Sequence, residues 1–149
     1  MRKITRDVEG SEHNISKNKI IRPLINNSRV LTNAMCSNAC DISEKVTAKA
    51  IITVTYSGFN TIQTSSFRPN AFIYAFTNNH TILNTLSLVW GVRGFYYDRG
   101  TTTDQTIQET KDILRNGNFV EKGDIVVNLA SMPAQEKGMT NMMKLSKVK

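Results

Sequence analysis

Apolar residues recur along this chain in two different periods, which predict strands and helices in turn. Short, continuous apolar runs rich in β-branched residues are typical of strands that are buried on both faces. Four such runs are Ala50–Thr55, Ala71–Phe76, Val92–Tyr97 and Ile125–Ala130. A last segment, Met142–Val148, instead alternates lysines with apolar residues, which is typical of an edge strand.

Segments with helical spacing separate these runs. The longest, Arg29–Val46, follows Asn27 and Ser28, and either residue can cap a helix. Spacing of i, i+3 and i+4 predicts that its buried face consists of Leu31, Met35 or Ala34, Ala39, Ile42 and Val46. Further helices are predicted at Phe59–Phe67, Thr81–Val89 and Asp104–Arg115, the last with Ile107, Ile113 and Leu114 inward.

This alternation of strands and helices predicts an α/β fold, a three-layer αβα sandwich around a mostly parallel, five-stranded sheet. The last strand follows loop 131–141, which is too short for a crossover helix, so we expect this strand to be antiparallel at or near an edge. Residues 1–28 are polar and irregular and are predicted to be a helix and linker leading in from an upstream part. Residues 29–149 are predicted to form the domain.

The composition is that of a globular protein, with 149 residues of which 40% are hydrophobic and 21% charged. No run approaches the roughly 18 apolar residues that a membrane span needs. The basic start, Met1–Arg6, has no apolar segment behind it and is not a secretory signal. We therefore expect a cytoplasmic protein without a membrane partner.

The net charge of +7 is compatible with a polyanionic partner. The 19 lysines and arginines are scattered, however, and aromatic residues do not interleave with them, so we predict no nucleic-acid partner. Nucleic-acid binding remains a third hypothesis, which steeply salt-dependent binding would support. Attraction of small phosphorylated ligands is an equally good use of the charge.

The sequence contains no set of residues that predicts catalysis or metal binding. Cys36 and Cys40 lie four apart on one helix face, where we expect two buried free thiols, and zinc would need more ligands than His13 and His80 supply. Neither nucleotide-binding fingerprint nor a nucleophile elbow is present. We therefore predict no catalytic residue, no metal ligand and no cofactor in this chain, which alone is expected to be inactive.

A candidate binding site lies between the first strand and the second helix. Thr55, Ser57 and Asn60 offer side-chain hydrogen bonds, and Gly58 allows a ligand to approach the backbone. The start of a helix favours anions, and ligands of open α/β sheets bind beyond the carboxyl ends of the strands. Loops 98–103 and 131–141 are expected on that side. The alternative is an ordinary strand-to-helix connection.

Several motifs in order resemble one protein family. They are TxSG, RP, LxWGV, KGD and GxTN, carried by Ala48–Gly58, Ser66–Pro69, Ala71–Thr77, Leu88–Val92, Lys122–Val127 and Gly138–Asn141. Together they resemble the C-terminal domain of pyruvate kinase over most of the chain. Residues 1–9 resemble the last helix before that domain.

The resemblance implies a regulatory and assembly module of an enzyme that transfers a phosphoryl group from phosphoenolpyruvate to ADP, forming pyruvate and ATP with Mg²⁺ and usually K⁺. The active site of that glycolytic enzyme lies in a separate barrel domain, which would be this chain's partner together with other copies in a tetramer. A phosphorylated small molecule is the implied effector. The alternative is a free-standing relative of this domain that binds a small phosphorylated metabolite.

The resemblance also places the effector's phosphate on the turn formed by Thr55, Tyr56, Ser57, Gly58, Phe59 and Asn60. Animal-type members that bind fructose bisphosphate have basic residues where Tyr56 and Phe59 stand, and an arginine near Thr106. Segment 131–137 also lacks their glycine-rich, arginine-bearing character. Because charge-assisted bonds supply much of the affinity for phosphate, a monophosphate or no effector fits better than fructose bisphosphate.

Overall fold

The computed structural model describes residues 27–98, 102–132 and 139–149. The helices are α1 (Asn27–Lys45), α2 (Phe59–Ser66), α3 (His80–Leu86) and α4 (Thr103–Asn116). The strands are β1 (Ala50–Val54), β2 (Phe72–Thr77), β3 (Val92–Tyr96), β4 (Ile125–Ala130) and β5 (Met142–Lys147). The predicted order of these elements is confirmed, with ends that differ by at most three residues. The helix and linker predicted before residue 27 lie outside the described residues.

The five strands form one sheet in the order β3-β2-β1-β4-β5. Neighbouring strands are parallel from β3 to β4, whereas β5 runs antiparallel to β4 at the edge. The predicted α/β class, the mostly parallel sheet and the antiparallel edge strand are thus confirmed. The chain moves outward from β1 to β3 and then returns to the other side of β1, so the connections reverse direction between β1 and β4.

Helices cover both faces of the sheet. On one face α1 and α2 enclose a core cluster that includes Ile51 and Leu129. α3 joins this face, because a Cβ at Gly94 would lie 2.5 Å from the Cδ1 of Leu83 in α3, whereas the neighbouring Phe95 packs into the cluster on the opposite face. That opposite cluster lies under α4. Among the described residues the two helical layers are therefore unequal, with three helices on one face of the sheet and one on the other.

Two predicted helix faces are confirmed in part. On α1, the predicted residues that pack on the core are Met35, Ala39, Ile42 and Val46. Leu31 is instead 42% exposed and Ala34 is also exposed. The most deeply buried residues of α1 are Thr32, Cys36, Ala39, Cys40 and Ser43. These small side chains allow close approach to α2, where the Sγ of Cys36 lies 3.4 Å from the carbonyl oxygen of Asn60. On α4, Ile107 and Leu114 are buried as predicted, but Ile113 is exposed.

None of the helices in the described ranges is long and apolar enough to cross a membrane.

The two cysteines are free and buried, as the spacing predicts. Burial raises the pKa of the Cys36 thiol to about 11. We therefore expect Cys36 to resist thiol reagents at pH 8 in the native protein and to react after denaturation.

The raised pKa of Cys36 also predicts a dependence of stability on pH. Because the folded-state pKa exceeds the unfolded value, the contribution is fully present below about pH 9 and is lost as the pH rises toward about 11. The slope approaches about 1.4 kcal/mol per pH unit between these values. Urea titrations across this range should show a smaller loss of stability with rising pH in Cys36→Ala than in the wild type. An unchanged slope in the variant would assign it to another group.

Candidate functional site

The connection between β1 and α2 is a tight turn that only glycine fits at its last position. Gly58 has a φ of 80°, in the left-handed region, and its N–H donates to the Oγ1 of Thr55 over 2.9 Å. A Cβ at Gly58 would lie 3.1 Å from the Cγ2 of Ile82 in α3. The turn is therefore fixed by a local hydrogen bond and by close packing against a neighbouring helix.

Asn60 fastens this turn to the loop that precedes β5. Its side chain is 5% exposed, and its Nδ2 donates to the carbonyl oxygen of Val54 and to the Oγ1 of Thr140 over 3.2 and 3.0 Å. The backbone N–H of Thr140 in turn donates to the Oγ1 of Thr32 over 3.3 Å. The described part of loop 131–141 thus reaches the turn, as expected from the sequence.

The remaining polar atom of Asn60 is also occupied. The Oγ1 of Thr61 lies 3.3 Å from the Oδ1 of Asn60 and 2.8 Å from the Oγ1 of Thr53. The Nδ2 and Oδ1 atoms of Asn60 thus both form hydrogen bonds within the protein. Asn60 therefore holds the turn in place and is not a free ligand-binding group.

The six predicted site residues consequently divide by exposure. Thr55, Gly58 and Asn60 are buried and shape the turn, whereas Ser57 is exposed and Tyr56 is 52% exposed. Phe59 is half-buried, and the guanidinium carbon of Arg29 lies 5.5 Å from its ring centre. The structure brings all six together in one turn but leaves chiefly Tyr56 and Ser57 facing solvent.

The start of α2 is open in a way that suits an anion. Its N-cap residue is Gly58, and within the described ranges no side-chain capping bond is formed there. The positive end of the helix dipole favours an anion at this end of α2, and the exposed Ser57 lies next to the N-cap residue. The turn also lies at the carboxyl end of β1 beside β4, where the connections of the sheet reverse direction and ligands of such sheets bind.

The neighbouring loops make contacts of their own. Asn79 caps α3 by accepting from the N–H groups of Thr81 and Ile82, while the ring of His80 stacks on Tyr96 with centroids 4.4 Å apart. Loop 98–103 lies partly outside the described residues. Within the described ranges, no group of three or more His, Cys, Asp and Glu side chains is placed to hold a metal ion.

Sequence reasoning missed three residues that contact this turn or its anchoring loop. Arg29, Thr32 and Thr140 surround the turn, and among them only Thr140 carried a signal, as part of the GxTN motif. Thr106 is buried, and its Oγ1 donates to the carbonyl oxygen of Thr102 over 2.9 Å.

Comparison with known proteins agrees with this architecture. The family model described as "Pyruvate kinase, alpha/beta domain" matches residues 33–146. The pyruvate kinase of Clostridium acetobutylicum is 34% identical over 123 residues, which are 83% of this chain and 25% of that protein. Pyruvate kinase 2 of Synechocystis is 31% identical over 149 residues, which are 100% of this chain and 24% of that protein.

A solved structure shares the fold. The crystal structure of a pyruvate kinase from Cryptosporidium parvum matches with a TM-score of 0.72 and 22% identity, over 80% of this chain and 23% of that one. This chain spans only a fifth to a quarter of the length of the curated relatives that it matches. By the family match and these identities, the chain belongs to the pyruvate kinase family, in the part that forms its α/β domain.

Proposed function

We propose that this chain is the regulatory and oligomerisation domain of a pyruvate kinase. The family match and the small share of each relative's length support a longer enzyme in which catalysis and regulation belong to different domains. Phosphoryl transfer from phosphoenolpyruvate to ADP, with Mg²⁺ and K⁺, then belongs to a barrel domain that this chain contacts. The tetramer is part of the same proposal, and such an enzyme works in the cytoplasm.

The turn Thr55–Asn60 is the proposed effector site. The observation that carries this assignment is the uncapped start of α2 beside the left-handed Gly58 at the reversal point of the sheet. An anion there meets the N–H groups of α2 and the Ser57 hydroxyl. Effector binding acts on the enzyme only if the ligand has a higher affinity for one arrangement of the subunits than for another.

The charges at this turn favour a monophosphate over a bisphosphate. The Arg29 guanidinium lies over Phe59, and Tyr56 and Phe59 bring no charge of their own. Thr106 is buried within α4 and adds none. One phosphate can be bound by hydrogen bonds and the helix dipole, whereas a second phosphate would need further cations for comparable affinity.

Calorimetric titration with glucose phosphate, fructose bisphosphate and inorganic phosphate tests this assignment. We expect the sugar monophosphate to bind at least as tightly as the bisphosphate. The variant Ser57→Asp places a carboxylate at the start of α2 and should weaken binding by about tenfold or more, because it repels the phosphate and competes for the same N–H groups.

Ser66→Asp is the matched control, since Ser66 is exposed at the opposite end of the same helix. This control should leave the affinity for phosphate unchanged. Equal loss in both variants would point to a general charge effect, and tight binding of fructose bisphosphate alone would overturn the preference for a monophosphate.

A further inference from the structure

A second concave site lies at the opposite end of the sheet from the turn. A groove of about 530 Å³ opens at the amino-terminal ends of β2 and β3, on the sheet face that α4 covers. This volume falls within the range of small-molecule sites, about 300–1,000 Å³. Its lining includes Lys49, Phe72, Tyr74, Arg93, Phe119 and Glu121.

Aromatic rings form one wall of this groove. Phe72 and Tyr74 lie with ring centroids 6.3 Å apart and planes 27° from parallel, and Tyr74 lies 5.6 Å from Phe119. Phe72 is 59% exposed, although it stands in a strand whose next five residues are buried. A flat apolar group therefore finds exposed ring faces here that the protein itself leaves uncovered.

Two unpaired cations flank these rings. The guanidinium carbon of Arg93 lies 4.6 Å from the ring centre of Phe119, and stacking of this kind leaves the in-plane N–H groups free to bind a carboxylate. Across the described ranges, Arg93, Lys49 and Glu121 form no ion pair. The groove therefore carries two positive charges and one negative charge, all open to a ligand.

A buried hydroxyl also reaches the groove without a partner. Tyr74 is only 5% exposed, and its hydroxyl makes no hydrogen bond within the described ranges. Among the described residues, the one fully enclosed side-chain polar atom that lacks a partner is the Oδ1 of Asn128. The Tyr74 hydroxyl is therefore not fully enclosed, and Tyr74 lines the groove.

The charge of Arg93 acts on this hydroxyl. Burial raises the pKa of Tyr74, and the charge of Arg93 acts in the opposite direction, so the guanidinium lies within electrostatic reach of the hydroxyl. At neutral pH the hydroxyl stays protonated and donates. An anion in the groove would thus meet a phenolic donor and a guanidinium donor together.

We propose that this groove is a binding site for a small planar organic anion of the aryl carboxylate class. The carboxylate binds the Arg93 guanidinium and the Tyr74 hydroxyl, with Lys49 adding positive charge. The flat body packs on Phe72. The groove lies at the amino-terminal ends of the strands, whereas Thr55–Asn60 lies at the carboxyl end of β1. This inference and the proposed effector site can therefore be tested independently of each other.

Ligand-observed NMR and calorimetry with naphthoate test the proposal. Naphthamide has the same ring without the charge, and acetate has the charge without the ring; both should bind about tenfold or more weakly than naphthoate. Arg93→Gln should weaken naphthoate by about tenfold or more, and Phe72→Ala should weaken it severalfold. Both replaced residues are exposed, so we expect the variants to fold.

Arg68→Gln is the matched control. Its guanidinium carbon also lies 4.6 Å from an aromatic ring centre, that of Trp90, but Arg68 does not line the groove. Naphthoate affinity should be unchanged in this variant. Absence of naphthoate binding to the wild type, equal binding of naphthamide, or equal losses in Arg93→Gln and Arg68→Gln would each overturn the proposal.

Discussion

Replacement of Phe76 by alanine is expected to lower the free energy of unfolding by about 3–5 kcal/mol. Phe76 is fully buried in the middle layer, where its ring stacks on Phe95 with centroids 5.1 Å apart and meets Tyr97 edge-on at 6.0 Å. Removal of the ring forfeits its transfer free energy and leaves a cavity that β2, fixed by strands on both sides, cannot close.

The same substitution at Phe72 is the control for this prediction. Phe72 lies four residues earlier on the same strand and face but is 59% exposed, so its loss should change stability by only about 0.5 kcal/mol. Urea unfolding followed by circular dichroism gives both values. Similar losses at the two positions would mean that Phe76 is not at the centre of the core, contrary to this packing.

The strands could be predicted from sequence because the pattern of apolar residues within each strand indicates how that strand is buried. Ala50–Val54 is continuously apolar except for Thr53, and it is the central strand with neighbours on both sides. Alternating lysines likewise predicted β5 at the edge. Such patterns succeed because each depends on the burial of the strand itself, so no knowledge of the partner elements is required.

The buried face of α1 could be predicted only in part. Hydrophobic spacing correctly places Met35, Ile42 and Val46 against the core. It also favours Leu31, which is exposed, and it misses the small and hydroxyl-bearing residues Thr32 and Cys36, which are more deeply buried. The reason is close approach to α2, whose own packing face is polar and includes Asn60 and Thr64. A preference for small side chains depends on the partner helix, which a single-helix pattern does not contain.

In the candidate site, too, local features could be predicted from sequence and contacts between distant residues could not. The roles of Thr55 and Gly58 follow from turn chemistry within four residues and were accessible from sequence. The hydrogen bond from Asn60 to Thr140 joins residues 80 apart, and the stacking of Arg93 on Phe119 joins separate elements. Contacts of this kind join distant parts of the chain, so the local sequence around Asn60 could not show that its side chain anchors a loop.

Gly58→Ala is expected to destabilise the domain by about 2 kcal/mol and to weaken phosphate binding at the turn. The left-handed conformation, with φ at 80°, costs an alanine about 1–2 kcal/mol. The new Cβ also meets the Cγ2 of Ile82 at 3.1 Å, so α3 or the turn must shift by a few tenths of an ångström. That shift would move Ser57 and the first N–H groups of α2, which are the proposed phosphate ligands.

Gly91→Ala separates these two effects. Gly91 also has a left-handed φ, 67°, but a Cβ there would have no neighbour within 4 Å, so only the backbone cost applies. Thermal and urea unfolding should show a smaller loss for Gly91→Ala than for Gly58→Ala, and calorimetry should show weaker phosphate binding only for Gly58→Ala. Equal stability losses would remove the contact with Ile82 as a cause. Unchanged phosphate affinity in Gly58→Ala would argue that the geometry of this turn does not control binding, because the N–H groups of α2 would then tolerate the displacement.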